Sequence, residues 1–278
     1  MIPIRDSMPS RTVPVVTRVI ILINALVFFY ELALPEKSME NLFFMFGIVP
    51  ARFTDSAWAN TAGFPVGGWW VFLTYQFLHG GWLHILGNMW MLWIFGRNVE
   101  DAMGHLRYGV FYLLIGVLAG LTQLLAQPQS QVPSLGASGA IAGVLGAYFL
   151  LYPKAPVTVL LPIPFWPLFF DVPAVIYLGL WFASQLFNGT LALTSPEQAG
   201  GIAFWAHVGG FSSGMLLCRL FLRPLQAGQT EPCGAFDSSF LHRASQPQRH
   251  DGRFLRRMGK TVPVRGGGMH RPAHSNGP

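Results

Sequence analysis

Six apolar segments, each close to the roughly 20 residues that a helix needs to cross a bilayer, restrict the fold of this chain more than any other feature. They are 16–34, 82–99, 105–126, 136–152, 172–188 and 202–222. Charged residues make up 11% of the chain, against about 25% in an average soluble domain. The sequence therefore predicts an all-α membrane protein, a bundle of six transmembrane helices.

The distribution of Lys and Arg predicts how the chain is oriented in the membrane. If the N-terminus is cytoplasmic, sixteen of the eighteen basic residues are cytoplasmic, and only Lys37 and Arg52 are external. Because cytoplasmic segments are enriched in Lys and Arg, this split favours a cytoplasmic N-terminus and a cytoplasmic C-terminus. The net charge of +6 then reflects a cytoplasmic bias and does not indicate a nucleic-acid surface.

The sequence divides into three regions. Residues 1–15 form a short cytoplasmic N-terminus, 16–223 form the six-helix domain, and 224–278 form a basic cytoplasmic tail whose composition predicts disorder. The first external loop, at about 35–81, is long and contains aromatic stretches that are too short to span and are expected at the interface. The proline-rich loop at 153–171 is expected to be cytoplasmic and interfacial.

Strongly polar residues are costly inside a membrane, so each one is a candidate for function. Four stand out: His84 and Asn88 in the second segment, Ser138 in the fourth and His207 in the sixth. With the predicted orientation these three segments all begin outside, so at 1.5 Å per residue the four residues lie within about 10 Å of the external end. Nothing in the apolar pattern requires this shared depth.

Two pairs of glycines predict close packing between the fourth and sixth segments. The pairs are Gly139 with Gly143 and Gly210 with Gly214. The second pair lies at i+3 and i+7 from His207, on the same helix face. Because glycines let helix backbones approach closely in lipid, this packing would bring Ser138 near His207. A serine within hydrogen-bond reach of a histidine is the arrangement of nucleophile and general base in serine hydrolases.

The second segment adds two hydrogen-bond donors to the same region. His84 and Asn88 are spaced i, i+4, share one helix face, and can both donate to a developing oxyanion. Backbone N–H groups and the partial positive charge at the start of the fourth helix would act with them. Glu100 and Asp101 lie at the opposite end of the second segment. The predicted catalytic unit is therefore a Ser–His dyad without an acidic residue.

Simpler interpretations exist for each signal taken alone. Ser138 among small residues fits helix packing, and Asn88 fits an interhelical hydrogen bond. A metal site of His79, His84 and His207 is a poor alternative, because no carboxylate or cysteine joins them and there is no H-E-x-x-H motif. The G-x-S-x-G elbow of soluble hydrolases is not matched either, since Ala140 stands two residues after the serine.

Taken together, the motifs resemble those of the rhomboid family of intramembrane serine proteases over about residues 16–222. The matching pieces are His84-x-x-x-Asn88, Gly136-Ala137-Ser138-Gly139, and Ala206-His207-Val208-Gly209-Gly210 with Gly214. The resemblance implies that Ser138 is the nucleophile and His207 the general base. It also implies an oxyanion hole formed by Asn88, His84 and the backbone N–H of Ser138. The implied substrate is a membrane-anchored protein cut in or near its transmembrane segment, without a metal or cofactor.

The resemblance further implies a water-filled cavity that opens to the external or periplasmic side of a plasma membrane or bacterial inner membrane. The loop at about 189–201 would cap this cavity, and the second and fifth spans would flank a side entrance. Some members carry a tyrosine one turn after the nucleophile, stacked on the histidine, where this chain has Ala142. Another group, such as an aromatic residue of the first loop, is then expected to hold His207.

Two other functions are compatible with parts of this pattern. A non-catalytic rhomboid-like protein that binds transmembrane helices would be expected to lack the serine or the histidine, and both are present here. A transporter or channel that used the polar cluster as a relay would conduct ions or protons and would be indifferent to serine-directed inhibitors. Covalent labelling by a fluorophosphonate separates an enzyme from both.

Overall fold

Most of the described chain is helical, as the apolar segments predict. The computed structural model describes residues 1–65, 68–163, 166–194 and 202–224. In chain order the elements are β1 (Ile2–Asp6), α1 (Val15–Ala33), α2 (Glu36–Phe46), α3 (Ala51–Thr54), α4 (Ser56–Thr61), α5 (Val71–Thr74), a 3-10 turn (Tyr75–Phe77), α6 (Trp82–Met91), a π-helical turn (Leu92–Gly96), α7 (Arg97–Met103), α8 (His105–Ala126), α9 (Ser138–Leu151), β2 (Pro156–Leu161), β3 (Leu168–Pro173), α10 (Ala174–Thr194) and α11 (Phe204–Phe221).

Helices occupy all six of the predicted apolar segments, with ends that differ by a few residues. Among the described residues, α1, α8 and α10 are long and apolar enough to cross a membrane. The second segment is a continuous helical run in which a π-helical turn separates α6 from α7. At 1.5 Å per residue, α9 is only about 21 Å long. The count of six spans and the orientation of the chain in the membrane therefore remain predictions.

Helix α9 is the central element of the fold. All its residues from Gly139 to Tyr148 are buried, and it packs against α8, α10, α11 and the π-helical turn. A helix that is apolar on every face needs neighbours on every face, and α9 has them. Its first residue, Ser138, is thereby placed at the middle of one end of the helix bundle.

Helices α9 and α11 are in close contact through their glycines. A Cβ added to Gly210 would collide with the carbonyl oxygen of Gly139, and one added to Gly214 would collide with the carbonyl oxygen of Gly143. The two backbones therefore touch where each helix lacks a side chain. This places the glycines of both pairs at one interface.

The first loop folds into the short helices α2 to α5, and its second half packs on α8. Ile48, Phe72 and Tyr75 form a buried cluster with Leu124 of α8. The Tyr75 hydroxyl donates a 2.6 Å hydrogen bond to a carbonyl oxygen of α8, and the Tyr75 carbonyl accepts the N–H of Gly136 at 2.9 Å. The loop thus fixes the backbone two residues before α9 begins.

A small sheet corrects the all-α prediction. The three strands are antiparallel in the order β1-β2-β3, with β1 paired to β2 and Val157 opposite Val172 between β2 and β3. The loop predicted at 153–171 is therefore largely a hairpin. Its proline content masked the period-two alternation in which Val157 and Val159 are fully buried while their neighbours are not.

Carboxylates at the far end of the helices hold the N-terminal segment in place. Asp6 is buried and bonds three side chains: Arg97, Asn98 and, at 2.8 Å, the Tyr148 hydroxyl. Glu100 accepts the N–H of Val16 at 2.8 Å and the N–H of Thr17 at 2.9 Å. A carboxylate is favourable at a helix N-terminus, where the first N–H groups lack intrahelical partners. These acidic groups stabilise the fold far from Ser138.

Part of the predicted organisation lies outside the described residues. The predicted tail, apart from Pro224, lies at 225–278, outside the described residues. The disorder of the tail therefore remains a prediction. The same holds for residues 195–201 of the predicted cap.

The contact between α9 and α11 makes a testable prediction about stability. We expect Gly210→Ala to lower the free energy of unfolding by about 1–3 kcal/mol, because the added methyl group overpacks the interface. Gly179→Ala is a matched control in α10, since its Cβ would meet only Phe149 at an ordinary 3.7 Å. Thermal unfolding in detergent micelles measures both. Equal midpoints for the two variants would contradict close packing at Gly210.

Candidate active site

Ser138 and His207 meet where α9 and α11 are in contact. Ser138 is the first residue of α9, and His207 lies in the first turn of α11. The Ser138 Oγ lies 2.8 Å from the His207 Nε2, within hydrogen-bond distance. Both residues are half-buried. The structure therefore brings together the two residues that the sequence selects as nucleophile and base.

The groups that hold the imidazole come from α10. The Gln185 Oε1 lies 2.8 Å from the His207 Nδ1, and the Trp181 ring centroid lies 5.9 Å from that of His207 at an interplanar angle of 37°. The expectation that an aromatic residue of the first loop supports His207 is therefore wrong. The contacts of Gln185 and Trp181 come from the fifth apolar segment.

His84 and Asn88 lie against the backbone just before Ser138. Gly136 has φ +115°, a conformation that L side chains rarely adopt. A Cβ at Gly136 would lie 2.6 Å from the His84 Nε2 and 3.4 Å from the Asn88 Nδ2. Both side chains therefore use the space that this glycine leaves open, two residues before the serine.

His79 orients the Asn88 amide. The Asn88 Nδ2 lies 3.0 Å from the His79 Nε2, and the His79 Nδ1 lies 3.3 Å from the Phe77 carbonyl oxygen. A carbonyl only accepts, so Nδ1 carries the proton and Nε2 accepts one N–H of Asn88. The second N–H of that amide is left for another acceptor.

Burial keeps the His79 ring neutral. Burial, with a smaller effect of the neighbouring His84, lowers the pKa of His79 from 6.5 to about 4. The His79 backbone is also fixed, because its N–H donates to the buried carboxylate of Glu31 at 3.2 Å. A neutral ring is required if Nε2 is to accept from Asn88 at neutral pH.

Sequence analysis missed two glutamines of the site. Gln185 contacts His207 directly, and the Gln123 Oε1 of α8 accepts the N–H of Ala206 at 3.2 Å, next to His207. The depth argument used for the other polar residues also selects Gln185, because it lies near the external end of the fifth predicted segment. The sequence does not predict which residues these two glutamines contact, because each contact joins helices that are far apart along the chain.

A cavity of about 470 Å³ lies beside the dyad. The end of α8, the loop before α9 and the start of α11 line it, with Gln123, Gln127, Ser134 and Ala203 among the lining residues. Its lining in the described part of the chain does not include Ser138 or His207, so the expected cavity over the dyad is not this one.

The comparison with protein families gives the class of this chain. A model of the rhomboid domain matches residues 66–224, which is more than half of the chain and includes α6 to α11. The chain therefore belongs to the rhomboid family. With helices long and apolar enough to span, it is an integral membrane protein.

Individual relatives share parts of this region. The chain is 38% identical over 78 residues to RHOMBOID-like protein 5 of Arabidopsis thaliana, covering 28% of this chain and 25% of the relative. It is 28% identical over 118 residues to Putative rhomboid protease YdcA of Bacillus subtilis (strain 168), covering 41% and 59%. It is 42% identical over 86 residues to Rhomboid protease GluP of the same bacterium, covering 31% and 16%. The chain thus spans less than two thirds of the length of each of these relatives.

The lowered pKa of His79 predicts a pH dependence of stability. As the pH falls from about 6.5 to about 4, the unfolded chain gains a proton at His79 that the folded protein does not bind. The contribution of His79 to the free energy of unfolding therefore falls over this window, and above the window this contribution does not change with pH. We expect His79→Gln to reduce this slope, because glutamine does not titrate. Thermal midpoints at several pH values test this, and equal slopes for both proteins would contradict it.

Proposed function

We propose that this chain is an intramembrane serine endopeptidase that cleaves membrane-anchored proteins in or near their transmembrane segment. The observation that carries this proposal is the 2.8 Å separation of the Ser138 Oγ and the His207 Nε2, on two helices whose glycine backbones touch. Membership of the rhomboid family, and relatives whose names include rhomboid protease, support the reaction class.

The proposed reaction is acyl transfer by the dyad. The Ser138 Oγ attacks the carbonyl carbon of the scissile peptide while its proton passes to the His207 Nε2. The tetrahedral intermediate then collapses, and His207 gives this proton to the departing amine. A water molecule attacks the resulting ester with His207 again as base, which releases the second product and restores the serine.

The negative charge of the tetrahedral intermediate would be stabilised from three directions. Asn88 offers the N–H that His79 does not accept, and His84 lies beside it against Gly136. The backbone N–H of Ser138 is at the start of α9, where the first N–H groups lack intrahelical acceptors and the helix dipole is positive. These donors are in place before the reaction starts, which is the condition for effective oxyanion stabilisation.

The same proposal includes the arrangement of the chain in the membrane. Six spans with cytoplasmic ends would place Ser138, His207 and the oxyanion donors near the external or periplasmic surface, where water is available for hydrolysis. The acidic groups that bond the N-terminal segment would then lie at the cytoplasmic side. The lipid bilayer and a membrane-anchored protein are the proposed partners.

Cleavage of a single-span model substrate in lipid vesicles tests the dyad. We expect the purified wild-type protein to cut it and to label at Ser138 with a fluorophosphonate. Ser138→Ala and His207→Ala should each lower the rate by at least about 10³-fold, because the nucleophile and base act as a unit. Unfolding midpoints near that of the wild type show that both variants are folded.

The opposite outcome favours the non-catalytic interpretation. If the wild-type protein cuts none of several substrates and takes no label, the Ser138–His207 contact is structural. Saturable binding of single-span helices by such a protein would then identify a rhomboid-like binding protein. Proton or ion flux through vesicles, with no labelling, would identify a transporter.

Replacing Asn88 tests the oxyanion donors. We expect Asn88→Ala to lower kcat by about 10²–10³-fold, because one preorganised donor to the oxyanion is lost. KM should change little, since the ground-state carbonyl carries less charge. Steady-state cleavage rates measure this, with the unfolding midpoint as the control for folding. An unchanged kcat would remove Asn88 from the oxyanion hole.

A further inference from the structure

The amide of Gln185 contacts His207, but the acyl transfer described above gives this side chain no role. It is a buried polar side chain on α10, a helix whose surface is otherwise mostly exposed and apolar. One end of the amide lies 2.8 Å from the His207 Nδ1. The other end lies 3.1 Å from the Ser184 Oγ and 3.5 Å from the Trp181 carbonyl oxygen. The amide therefore bridges α10 and the imidazole.

The partners of the amide decide which of its ends faces His207. The Ser184 Oγ lies 2.6 Å from the Trp181 carbonyl oxygen, and a carbonyl only accepts, so the serine hydroxyl donates there. With its one proton used, the Ser184 Oγ can only accept from Gln185. The NH₂ group of Gln185 therefore faces Ser184 and Trp181, and its carbonyl oxygen faces His207.

The same reasoning continues into the dyad. Because the Gln185 Oε1 only accepts, the His207 Nδ1 must carry a proton. In the neutral ring the Nε2 then has its lone pair free, pointing at the Ser138 Oγ at 2.8 Å. This is the tautomer that a general base needs, because the base must take the serine proton at Nε2.

We propose that Gln185 is a positioning residue of this site: through its Oε1 it holds His207 in the tautomer and ring orientation that accept the proton of Ser138. The proposal rests on the proposed proteolytic function. The hydrogen bonds have one polarity throughout, from the Ser138 hydroxyl to His207, and from His207 to Gln185. From Gln185 they continue through Ser184 to the Trp181 carbonyl.

A neutral amide suits this position. A carboxylate would hold a protonated imidazole more strongly, but burying an unpaired charge among apolar helices costs far more than burying an amide with its hydrogen bonds made. The Trp181 ring, 5.9 Å from the imidazole, restricts the ring on the same side. Gln185 and Trp181 are one helical turn apart, so a single face of α10 supplies both contacts.

Four variants test the proposal in the vesicle cleavage assay. Gln185→Met removes the acceptor while keeping a side chain of similar length. Gln185→Glu keeps an oxygen acceptor for the His207 Nδ1. Ser184→Ala removes the group that orients the amide. Asn188→Leu is the matched control, because its amide lies on the same helix and, among the described residues, bonds the Ser184 carbonyl oxygen at 2.8 Å rather than the imidazole.

We expect Gln185→Met to lower kcat by about 100-fold with KM within about twofold, because proton transfer is impaired but binding is not. Gln185→Glu should recover kcat to within about tenfold of the wild type. Ser184→Ala should lower kcat by about fivefold, the effect of one neutral hydrogen bond. Asn188→Leu should retain the wild-type kcat. Unfolding midpoints are measured for each variant, and if Gln185→Met does not fold, Ser184→Ala and Gln185→Glu provide the test.

Two results separate this inference from the function on which it rests. If the wild-type protein is inactive, or if Ser138→Ala cleaves as well as the wild type, the proposed function fails. If the wild type cleaves through Ser138 but a folded Gln185→Met has the kcat of Asn188→Leu, the role of Gln185 is overturned. The same conclusion follows if Ser184→Ala is unchanged and Gln185→Glu falls as far as Gln185→Met, since retention of an acceptor would then have no effect.

Discussion

The contact between the backbones of α9 and α11 is the constraint on which the rest of the site depends. Gly210 and Gly214 lie against the carbonyl oxygens of Gly139 and Gly143, so a side chain at either glycine would collide with the facing backbone. Ser138 directly precedes the first of these glycines in α9. Because lipid tails are as apolar as the helix surfaces, such contacts depend on packing rather than on exclusion of water. The distance between the dyad atoms is therefore set by helix packing.

The carboxylates that bond the N-terminal segment lie away from Ser138 and His207. The carboxylates of Asp6 and Glu100 bond the N-terminal segment and the start of α1. The polar side chains around Ser138 and His207 are amides and imidazoles, and burial keeps His79 neutral. A network of neutral groups can be satisfied by directional hydrogen bonds alone, without the cost of burying a charge. The direction of the hydrogen bonds in this network is then set by the groups that can only accept a hydrogen bond, such as carbonyl oxygens.

The sequence predicts the helices well, because an apolar segment in lipid must satisfy its backbone hydrogen bonds within the segment itself. It also predicts that Ser138 and His207 are neighbours, since the glycine pairs occur on both helices. It does not predict the sheet, because the pairing of β1 with β2 joins residues more than 150 positions apart. Gln185 was missed for the same reason, as its partner lies on another helix.

The two members of the dyad are supported differently. Ser138 begins a helix that is buried on every side, whereas the imidazole of His207 is held by Gln185 and Trp181 of α10. In the most apolar stretch of α10 only 22% of the residues are buried, against 44% in α8. The orientation of the base is therefore coupled to a helix with few packed neighbours. A displacement of α10 that left the contact between α9 and α11 intact would still lengthen the hydrogen bond between Gln185 and His207, on which the proposed proton transfer depends.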